Sequence, residues 1–257
     1  MATEGDFTLQ KTNLRNLIKT GAFRFIDEAT PWFPYTSGQI GPYYVQSISV
    51  EKDGSKYARA VKSLVALIKA KFGPFDVISG GETRDWDFSN PVAVLMKKPH
   101  AKMYKDGRLI GAGVKGKKVL HVADLNNEGS SVRDYWNPIV NKNGGSLVGV
   151  VSFVDRMEDG YLLFKKMALP CFSVVPLDKS AWDIILNEGY ISRGVHSQLI
   201  ARMQDRRKWA INALLNNPEY FKKFYSENST HDKALKIMRT YVEIGKKLKI
   251  FIKSNAH

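Results

Sequence analysis

Hydrophobic residues along the first two thirds of the chain form helical stripes that alternate with short apolar runs. The clearest stripe covers residues 57–72, where apolar positions recur every three or four residues until Gly73-Pro74. This spacing predicts an amphipathic helix that ends at the Gly-Pro pair. A shorter stripe predicts a helix over residues 8–20, and the aromatic, glycine- and proline-broken stretch 22–50 predicts loops and short strands.

Short apolar runs bounded by turn residues predict buried strands. Such runs occupy residues 75–78, 91–96, 117–123, 147–154 and 171–175. A helix is predicted over residues 130–141, limited or kinked by Pro138. Strands that alternate with helices predict a parallel sheet with right-handed crossovers. Loops 80–84, 97–108 and 124–131 each follow a predicted strand, so we expect them to meet at the carboxyl edge of the sheet.

From Asp178 onward the pattern predicts helices only, over residues 178–188, 196–216 and 231–253. We therefore predict two domains, residues 1–177 and residues 178–257. The second holds 15 basic and 8 acidic residues of the chain's 39 and 25, which gives it the higher density of positive charge. Basic helices of this kind form either solvated faces or a nucleic-acid surface.

The overall charge of +14 predicts a preference for polyanions such as nucleic acid or phosphorylated metabolites. A single cysteine, Cys171, excludes an internal disulfide, and its apolar surroundings predict a buried thiol rather than a nucleophile. There is no apolar run of about 20 residues and no signal-like N-terminus, so we expect a cytoplasmic protein with no membrane partner. The spacing of cysteine and histidine predicts no metal site.

The stretch KKVLHVADLNNEGSS, residues 117–131, combines a predicted strand, the acid Asp124, a glycine-containing loop and a helix start. Backbone N–H groups of such a loop can bind a phosphate, while the acid accepts hydrogen bonds from ribose hydroxyls. The alternative is an ordinary strand-loop-helix turn. The candidate loop residues are Asn127, Glu128, Gly129, Ser130 and Ser131.

The same stretch resembles the signature of type I phosphoribosyltransferases that binds 5-phosphoribosyl 1-diphosphate (PRPP). Three further segments resemble orotate phosphoribosyltransferases in the same order: FPYTSGQIGPYYV at 33–45, the basic loop KKPHAKMYKDGRLIG at 97–111, and the strand VGVVSFVDR at 148–156. The resemblance spans roughly residues 8–177. It implies an α/β phosphoribosyltransferase fold with a parallel sheet, a small N-terminal hood over about residues 1–50 and a helical C-terminal extension.

The resemblance also implies an enzyme that transfers phosphoribosyl from PRPP to a pyrimidine base in pyrimidine biosynthesis. It implies Mg²⁺ bound with PRPP, and a homodimer. By motif position, Asp124 would contact the ribose and residues 127–131 the 5′-phosphate. Pyrophosphate would face Lys97, Lys98, Lys102 and Arg84, and further substrate contacts would come from Tyr43, Tyr44 and Arg156.

Three residues at the centre of the signature depart from the family pattern. Ala123 stands at the position of the family's first acid, and Asn127-Glu128 stands at the position of two threonines. A carboxylate about 4 Å from a phosphate charge opposes it by about 4 kcal/mol at an effective dielectric of about 20. The sequence therefore leaves two functions open. One is an orotate-type transferase; the other is a weakened transferase fold that binds RNA, through its basic C-terminal helices, or a partner protein.

Overall fold

The computed structural model describes residues 4–253, which divide into two compact units. The sheet unit comprises the chain up to Ala22 and residues Gln46–Ala181, and the helical unit comprises Phe23–Val45 and the chain from Trp182 onward. This division differs from the boundary expected at residue 177, because segment 23–45 leaves the expected hood and joins the C-terminal helices. The reason is aromatic packing: Trp32 contacts Tyr220 and Phe224 with ring centroids 4.8 and 5.1 Å away.

Ten strands are present in the described part of the chain. They are β1 (Phe23–Phe25), β2 (Phe33–Pro34), β3 (Ile40–Gly41), β4 (Tyr43–Val45), β5 (Val77–Gly81), β6 (His100–Met103), β7 (Leu109–Gly111), β8 (Lys118–Asn126), β9 (Ser146–Asp155) and β10 (Cys171–Pro176). The first four form two small antiparallel ladders in the helical unit, and the other six form the sheet of the sheet unit.

Eleven α-helices are present in the same described residues. They are α1 (Glu4–Lys19), α2 (Gly54–Lys71), α3 (Asp85–Met96), α4 (Asn137–Lys142), α5 (Gly160–Lys166), α6 (Lys179–Asn187), α7 (Arg193–Gln204), α8 (Arg206–Leu215), α9 (Pro218–Ser226), α10 (His231–Thr240) and α11 (Gly245–Lys253). No helix among residues 4–253 has both the length and the hydropathy needed to cross a bilayer.

The six-stranded sheet has the order β10-β9-β8-β5-β6-β7 and is parallel except for β7, which closes one edge in antiparallel pairing. This confirms the predicted α/β fold with a parallel sheet. Strands β8 and β9 are buried almost throughout because helices cover both faces of a parallel sheet. Four of the five predicted strands correspond to β5, β8, β9 and β10.

The prediction of a strand at residues 91–96 was wrong, because these residues form the second half of α3. Phe88 and Val92 are buried one helical turn apart, whereas Val94 and Leu95 are 75% and 52% exposed. The run is therefore buried on one face only, as in an amphipathic helix. The next prediction also changes: the basic loop 97–108 contains β6 and a tight turn into β7, where Gly107 N donates to Tyr104 O at 3.0 Å.

The predicted helix over 130–141 forms with an irregular first half. A π-helical turn covers Val132–Trp136 and is followed by α4, with Pro138 in its first turn. Pro138 has no N–H to donate to the preceding turn, which accounts for the irregular ladder there. The long helix predicted over 196–216 is divided at Asp205, which caps α8 by accepting from Lys208 N at 2.9 Å.

The helical unit has its own core, built around Trp32 and Ile40 and the apolar faces of α8 to α11. Arg202 is nearly buried in it, donates to Ile40 O at 3.2 Å and lies 5.3 Å from the ring centre of Tyr35. The helical extension predicted from the sequence is therefore packed internally and does not consist only of solvated helices.

Candidate functional site

The carboxyl ends of β6, β5, β8 and β9 lie side by side in the sheet unit. The chain leaves each of these strands into a loop, at residues 104–108, 82–84, 127–129 and 156–159. Ligands of open parallel sheets bind at this edge, where backbone N–H groups and helix starts converge. The candidate site is therefore this carboxyl edge.

The loop after β8 has a backbone that only glycine adopts easily. Gly129 has φ +70°, and a Cβ built there would lie 2.9 Å from the Phe164 ring. The loop is anchored from the next connection, since Gly160 N donates to Asn127 O at 3.1 Å and Asn126 Nδ2 donates to Asp155 Oδ2 at 2.8 Å. The first N–H groups of the helical turn that follows have no acceptor in a preceding helical turn, and groups of this kind can bind phosphate.

Asp124, the predicted ribose contact, lies near the end of β8 and is only 9% exposed. Its Oδ2 accepts from Ser47 Oγ at 2.7 Å, and its backbone N donates to Asp85 Oδ1 at 3.0 Å. Burial, followed by the negative charge of Asp85, raises the pKa of Asp124 to about 7, while Ser47 and Arg84 act in the opposite direction. Ser47 therefore already donates to the carboxylate that was predicted to contact ribose.

Asp85, which the sequence analysis did not select, occupies the position between the ends of β5 and β8. Its carboxylate accepts from Gly81 N and from Asp124 N, both at 3.0 Å, and lies 3.3 Å from His121 Nε2. These backbone N–H groups are therefore directed to an internal carboxylate. The one sequence signal for this cluster is His121, a titratable residue within an apolar strand.

Trp136 closes the same region from the π-helical turn. It is buried, and a Cβ built on Gly81 would lie 2.2 Å from its indole ring. The glycine pair at the end of β5 is consequently required for packing: Gly81 admits Trp136, and a Cβ on Gly80 would lie 2.2 Å from Ser89 Oγ. In this loop, the residue that was predicted to face pyrophosphate is Arg84.

Three cations lie at the carboxyl edge. Arg84 is exposed at the start of α3, and its charge lowers the pKa of Asp124. Lys102 lies in β6 with its Nζ 5.3 Å from the ring centre of Trp86, and Lys105 Nζ lies 5.8 Å from that of Tyr135. Arg84 is therefore near Asp124, and Lys102 and Lys105 lie at the same edge on β6 and the loop that follows it.

Lys97 and Lys98 lie at the opposite edge of the sheet. They connect the end of α3 to the start of β6, and Lys98 Nζ donates to the carbonyl of Phe75, just before β5, at 2.7 Å. Lysines that followed a strand over 91–96 would lie at the carboxyl edge. Because that segment is a helix, they precede β6 and lie at the amino edge. The structure therefore separates both lysines from the other predicted site residues.

Three other predicted residues have well-defined surroundings. Tyr43 and Tyr44 form part of β4 in the helical unit, where Tyr43 O accepts from Tyr35 OH at 2.6 Å. Arg156 follows β9, and its buried guanidinium is 2.9 Å from Glu158 Oε1. Its backbone N donates to Asn126 O at 3.0 Å, so Arg156 helps to fix the end of β8.

The remaining loop residues are all at least partly accessible. Glu128 and Ser130 are half-buried and Ser131 is exposed. The charge of Glu128 reaches Arg133, whose guanidinium also pairs with Asp134 at 2.6 Å. Among residues 4–253, no group of three or more His, Cys, Asp and Glu side chains could hold a metal ion.

Known proteins resemble the chain in both sequence and fold. The orotate phosphoribosyltransferase of Pyrobaculum aerophilum is 31% identical over 162 residues, which cover 60% of this chain and 80% of the relative. The crystal structure of the Francisella tularensis orotate phosphoribosyltransferase is similar with a TM-score of 0.62 and 18% identity, over 74% of this chain and 96% of that one. The Mycobacterium tuberculosis orotate phosphoribosyltransferase in complex with PRPP is similar with a TM-score of 0.50 and 22% identity, over 65% and 96% of the two chains. No protein-family model matches the chain.

Proposed function

This chain belongs to the orotate phosphoribosyltransferase family, and we propose that it transfers phosphoribosyl from PRPP to a pyrimidine base, with orotate as the first candidate, and releases pyrophosphate. The relative from M. tuberculosis was solved with PRPP, which supports the choice of donor. The observation that carries the proposal is the loop after β8. There Gly129 has φ +70° and leads directly into a helical turn, immediately beyond the acid Asp124.

In this proposal, the N–H groups of residues 127–131 bind the 5′-phosphate and Asp124 orients the ribose hydroxyls. Positive charge develops on the ribose as the bond to pyrophosphate breaks, and negative charge accumulates on the departing group. Arg84 and Lys102 are the cations that can stabilise that departing charge at this edge. Lys97 and Lys98, at the amino edge, have no part in this arrangement.

Magnesium enters the proposal as part of the Mg–PRPP substrate. PRPP can supply most of the oxygen ligands that Mg²⁺ requires, so few protein ligands are needed. Asp124 and Asp85 are the carboxylates closest to the expected position of the ribose and pyrophosphate. Burial and the charge of Asp85 raise the pKa of Asp124, which weakens Asp124 as a metal ligand. The chain therefore offers few carboxylate ligands at this place, which fits an ion held mainly by the substrate.

The second candidate is a transferase fold whose role is to bind RNA or a partner protein. The observation that favours it is Asp85, whose carboxylate already accepts from the N–H groups of Gly81 and Asp124 at 3.0 Å. With Trp136 against Gly81, the end of β5 is filled by the protein itself. For RNA, the basic surface would be α11, where Lys246, Lys247 and Lys249 are exposed.

A steady-state assay separates the two candidates. Purified protein is supplied with PRPP, Mg²⁺ and one base at a time, orotate first, and pyrophosphate release is measured. The transferase predicts release that depends on one pyrimidine base and is lost in Gly129→Ala but retained in Gly116→Ala. Gly116 also has a positive φ, with nothing within 4 Å of its Cβ position. Release with no base dependence, or none from folded protein, contradicts the transferase.

The RNA candidate has its own test, which leaves the helical core intact. Replacement of Lys246, Lys247 and Lys249 by glutamine should weaken binding of single-stranded RNA and reduce the slope of log affinity against log salt by about 2. The matched control replaces the exposed Lys115, Lys117 and Lys118 of the sheet unit. Equal losses from both triple variants would show that net charge, and not α11, governs binding.

The expected homodimer is tested by light scattering on the same wild-type sample.

A further inference from the structure

The loop after β9, residues 156–159, borders the expected ribose position on the side away from Arg84. Strand β8, which carries Asp124, has β5 as one neighbour in the sheet and β9 as the other. In a single displacement at C1 of a sugar, the entering group arrives on the face opposite the leaving group. If pyrophosphate leaves towards Arg84 and Lys102, the acceptor base therefore enters from the side of β9.

The end of β9 carries more acidic than basic residues. The acids are Asp155, Glu158 and Asp159, and the one base is Arg156. Residues 155–159 therefore have a formal charge of −2. The next connection of the sheet, after β10, begins with one acid and one lysine, whose charges cancel. An acceptor that carries a negative charge would meet charge of the same sign on this side of β8.

The one arginine of this loop is already paired within the protein. Arg156 Nη2 lies 2.9 Å from Glu158 Oε1, and the two side chains are only 7% and 3% exposed. The backbone is fixed as well, since Arg156 N donates to Asn126 O at 3.0 Å. Separating a buried ion pair is costly, because each charge is left uncompensated away from water. Arg156 therefore cannot turn to a carboxylate of a substrate without leaving Glu158 buried and unpaired.

Apolar side chains are exposed in the same stretch of the chain. Met157 is 42% exposed, and Tyr161 and Leu162, in the first turn of α5, are 54% and 57% exposed. The turn at Met157 is held by Asp155, whose Oδ1 accepts from Met157 N at 2.7 Å. Small-molecule sites combine apolar and aromatic side chains with a few polar groups. The surface at the end of β9 is therefore suited to an uncharged planar ring.

We propose that the acceptor is an uncharged pyrimidine base such as uracil, and that the Arg156–Glu158 pair excludes a base that carries a carboxylate, such as orotate. The inference rests on the proposed function for the reaction, and it changes the expected acceptor. Ring N–H groups of an uncharged pyrimidine can donate to the acids of this loop. In the transfer, a ring nitrogen bonds to C1 and loses its proton to solvent, while pyrophosphate leaves with the electron pair of the C1–O bond.

Calorimetric titration of the full chain with two nucleotides tests the class of base without requiring turnover. Uridine 5′-monophosphate and orotidine 5′-monophosphate share the ribose and the 5′-phosphate, so Glu128 opposes both equally, and they differ only in the ring carboxylate. We expect wild type to bind the uridine nucleotide about tenfold more tightly, because the carboxylate meets like charge. Equal affinities, or tighter binding of the orotidine nucleotide, overturn the inference.

Three variants assign the preference to this loop. Glu158→Gln removes the acid that neutralises Arg156, and should reduce the ratio of the two affinities about tenfold by strengthening the orotidine nucleotide. Asp159→Asn removes an exposed acid and should reduce the ratio about threefold, which keeps the test valid if Glu158→Gln does not fold. The control, Asp76→Asn, removes an equal charge at the amino edge, where Asp76 accepts from Lys118 N at 2.8 Å. A ratio unchanged in both loop variants, or changed equally in the control, overturns the assignment.

Pyrophosphate release from Mg–PRPP with uracil or orotate then separates this inference from the proposed transferase. Faster release with uracil supports both. Release with orotate at an equal or higher rate overturns the inference and leaves the transferase standing. Preferential binding of the uridine nucleotide, with no release in the presence of either base, supports the class of base and removes the transferase. Neither nucleotide binding nor release removes both.

Discussion

The loops that follow β5 and β8 lie on adjacent strands of one sheet and differ in what accepts their backbone N–H groups. After β5, the N–H of Gly81 is directed to the internal carboxylate of Asp85, and Trp136 covers the glycine. After β8, a left-handed Gly129 leads into a helical turn, and the nearby carboxylate of Glu128 interacts with Arg133. The two loops have equivalent positions in the fold but different capacity to bind an anion.

The difference shows that a glycine-rich loop at a strand end is not sufficient for phosphate binding. Glycine permits close approach of any group, and the group that approaches is decided by neighbouring side chains. After β5 that group is a tryptophan ring together with an aspartate of the same chain. After β8, the group that approaches Gly129 is the ring of Phe164 in α5. The start of the following helical turn therefore remains the candidate phosphate contact.

The largest effect is expected from changing the covered loop. Gly81→Ala would bring a Cβ within 2.2 Å of the Trp136 indole, which must shift within a packed core. Overpacking of this kind should lower the free energy of unfolding by about 3 kcal/mol. Urea denaturation measures it, with Gly113→Ala as control, because nothing lies within 4 Å of the Cβ position at Gly113. Equal stability of the two variants would show that Trp136 does not cover Gly81.

A smaller effect is expected in the loop after β8. Gly129→Ala combines a positive φ with a Cβ 2.9 Å from Phe164, and should lower the free energy of unfolding by about 2 kcal/mol. Gly116→Ala has the same sign of φ without the contact and should cost about 1 kcal/mol. Thermal unfolding of the two variants compares them directly. A larger loss in Gly116→Ala would argue against the described packing of the loop.

Stability should also depend on pH through Asp124. Its folded-state pKa of about 7 lies above the ordinary value of 3.8, so the folded protein binds an extra proton between these values. This contribution is fully present below about pH 4 and is lost as pH rises towards 7, by at most about 1.4 kcal/mol per pH unit. Asp124→Asn should therefore lose less stability than wild type over this range in urea unfolding. If stability changes equally with pH in wild type and Asp124→Asn, the raised pKa of Asp124 is contradicted.

The smallest expected effect distinguishes the two edges of the sheet. Lys102→Ala, at the carboxyl edge, should lower turnover about tenfold with little change in melting temperature. Lys98→Ala, at the amino edge, should leave turnover within about twofold of wild type and cost about 0.5 kcal/mol of stability through its lost bond to Phe75. Steady-state rates of both variants test this. A greater loss of turnover in Lys98→Ala would return that lysine to the site.

The sequence pattern was sufficient to predict the buried strands, because short continuous apolar runs between turns usually form strands. It failed at residues 91–96, where six mainly apolar residues end a helix whose outer face, at Val94 and Leu95, remains exposed. That single error moved Lys97 and Lys98 to the wrong edge. In a parallel sheet, residues that connect a helix to the next strand lie at the amino edge, whereas residues that follow a strand lie at the carboxyl edge. The basic motif alone does not distinguish the two.

The site could be located from sequence but its interior could not. Asp124 and the loop after it were predictable because strand, acid, glycine and helix start occur in consecutive positions. Asp85, Ser47 and Trp136 were not, because each comes from a different segment and meets the others only when the sheet has formed. The place of segment 23–45 in the helical unit was not predictable for a similar reason. Trp32 of this segment contacts residues almost two hundred positions later in the chain.

Calorimetric titration of Mg–PRPP into wild type, Glu128→Thr and Gly129→Ala tests the central claim most directly, that the loop after β8 binds the 5′-phosphate. Glu128 opposes a phosphate there, and Arg133 offsets part of its charge. We therefore expect weak binding to wild type, binding about tenfold tighter to Glu128→Thr, equivalent to about 1.4 kcal/mol, and none to Gly129→Ala. Tight binding to wild type that is weakened by Glu128→Thr and unchanged in Gly129→Ala would contradict the account.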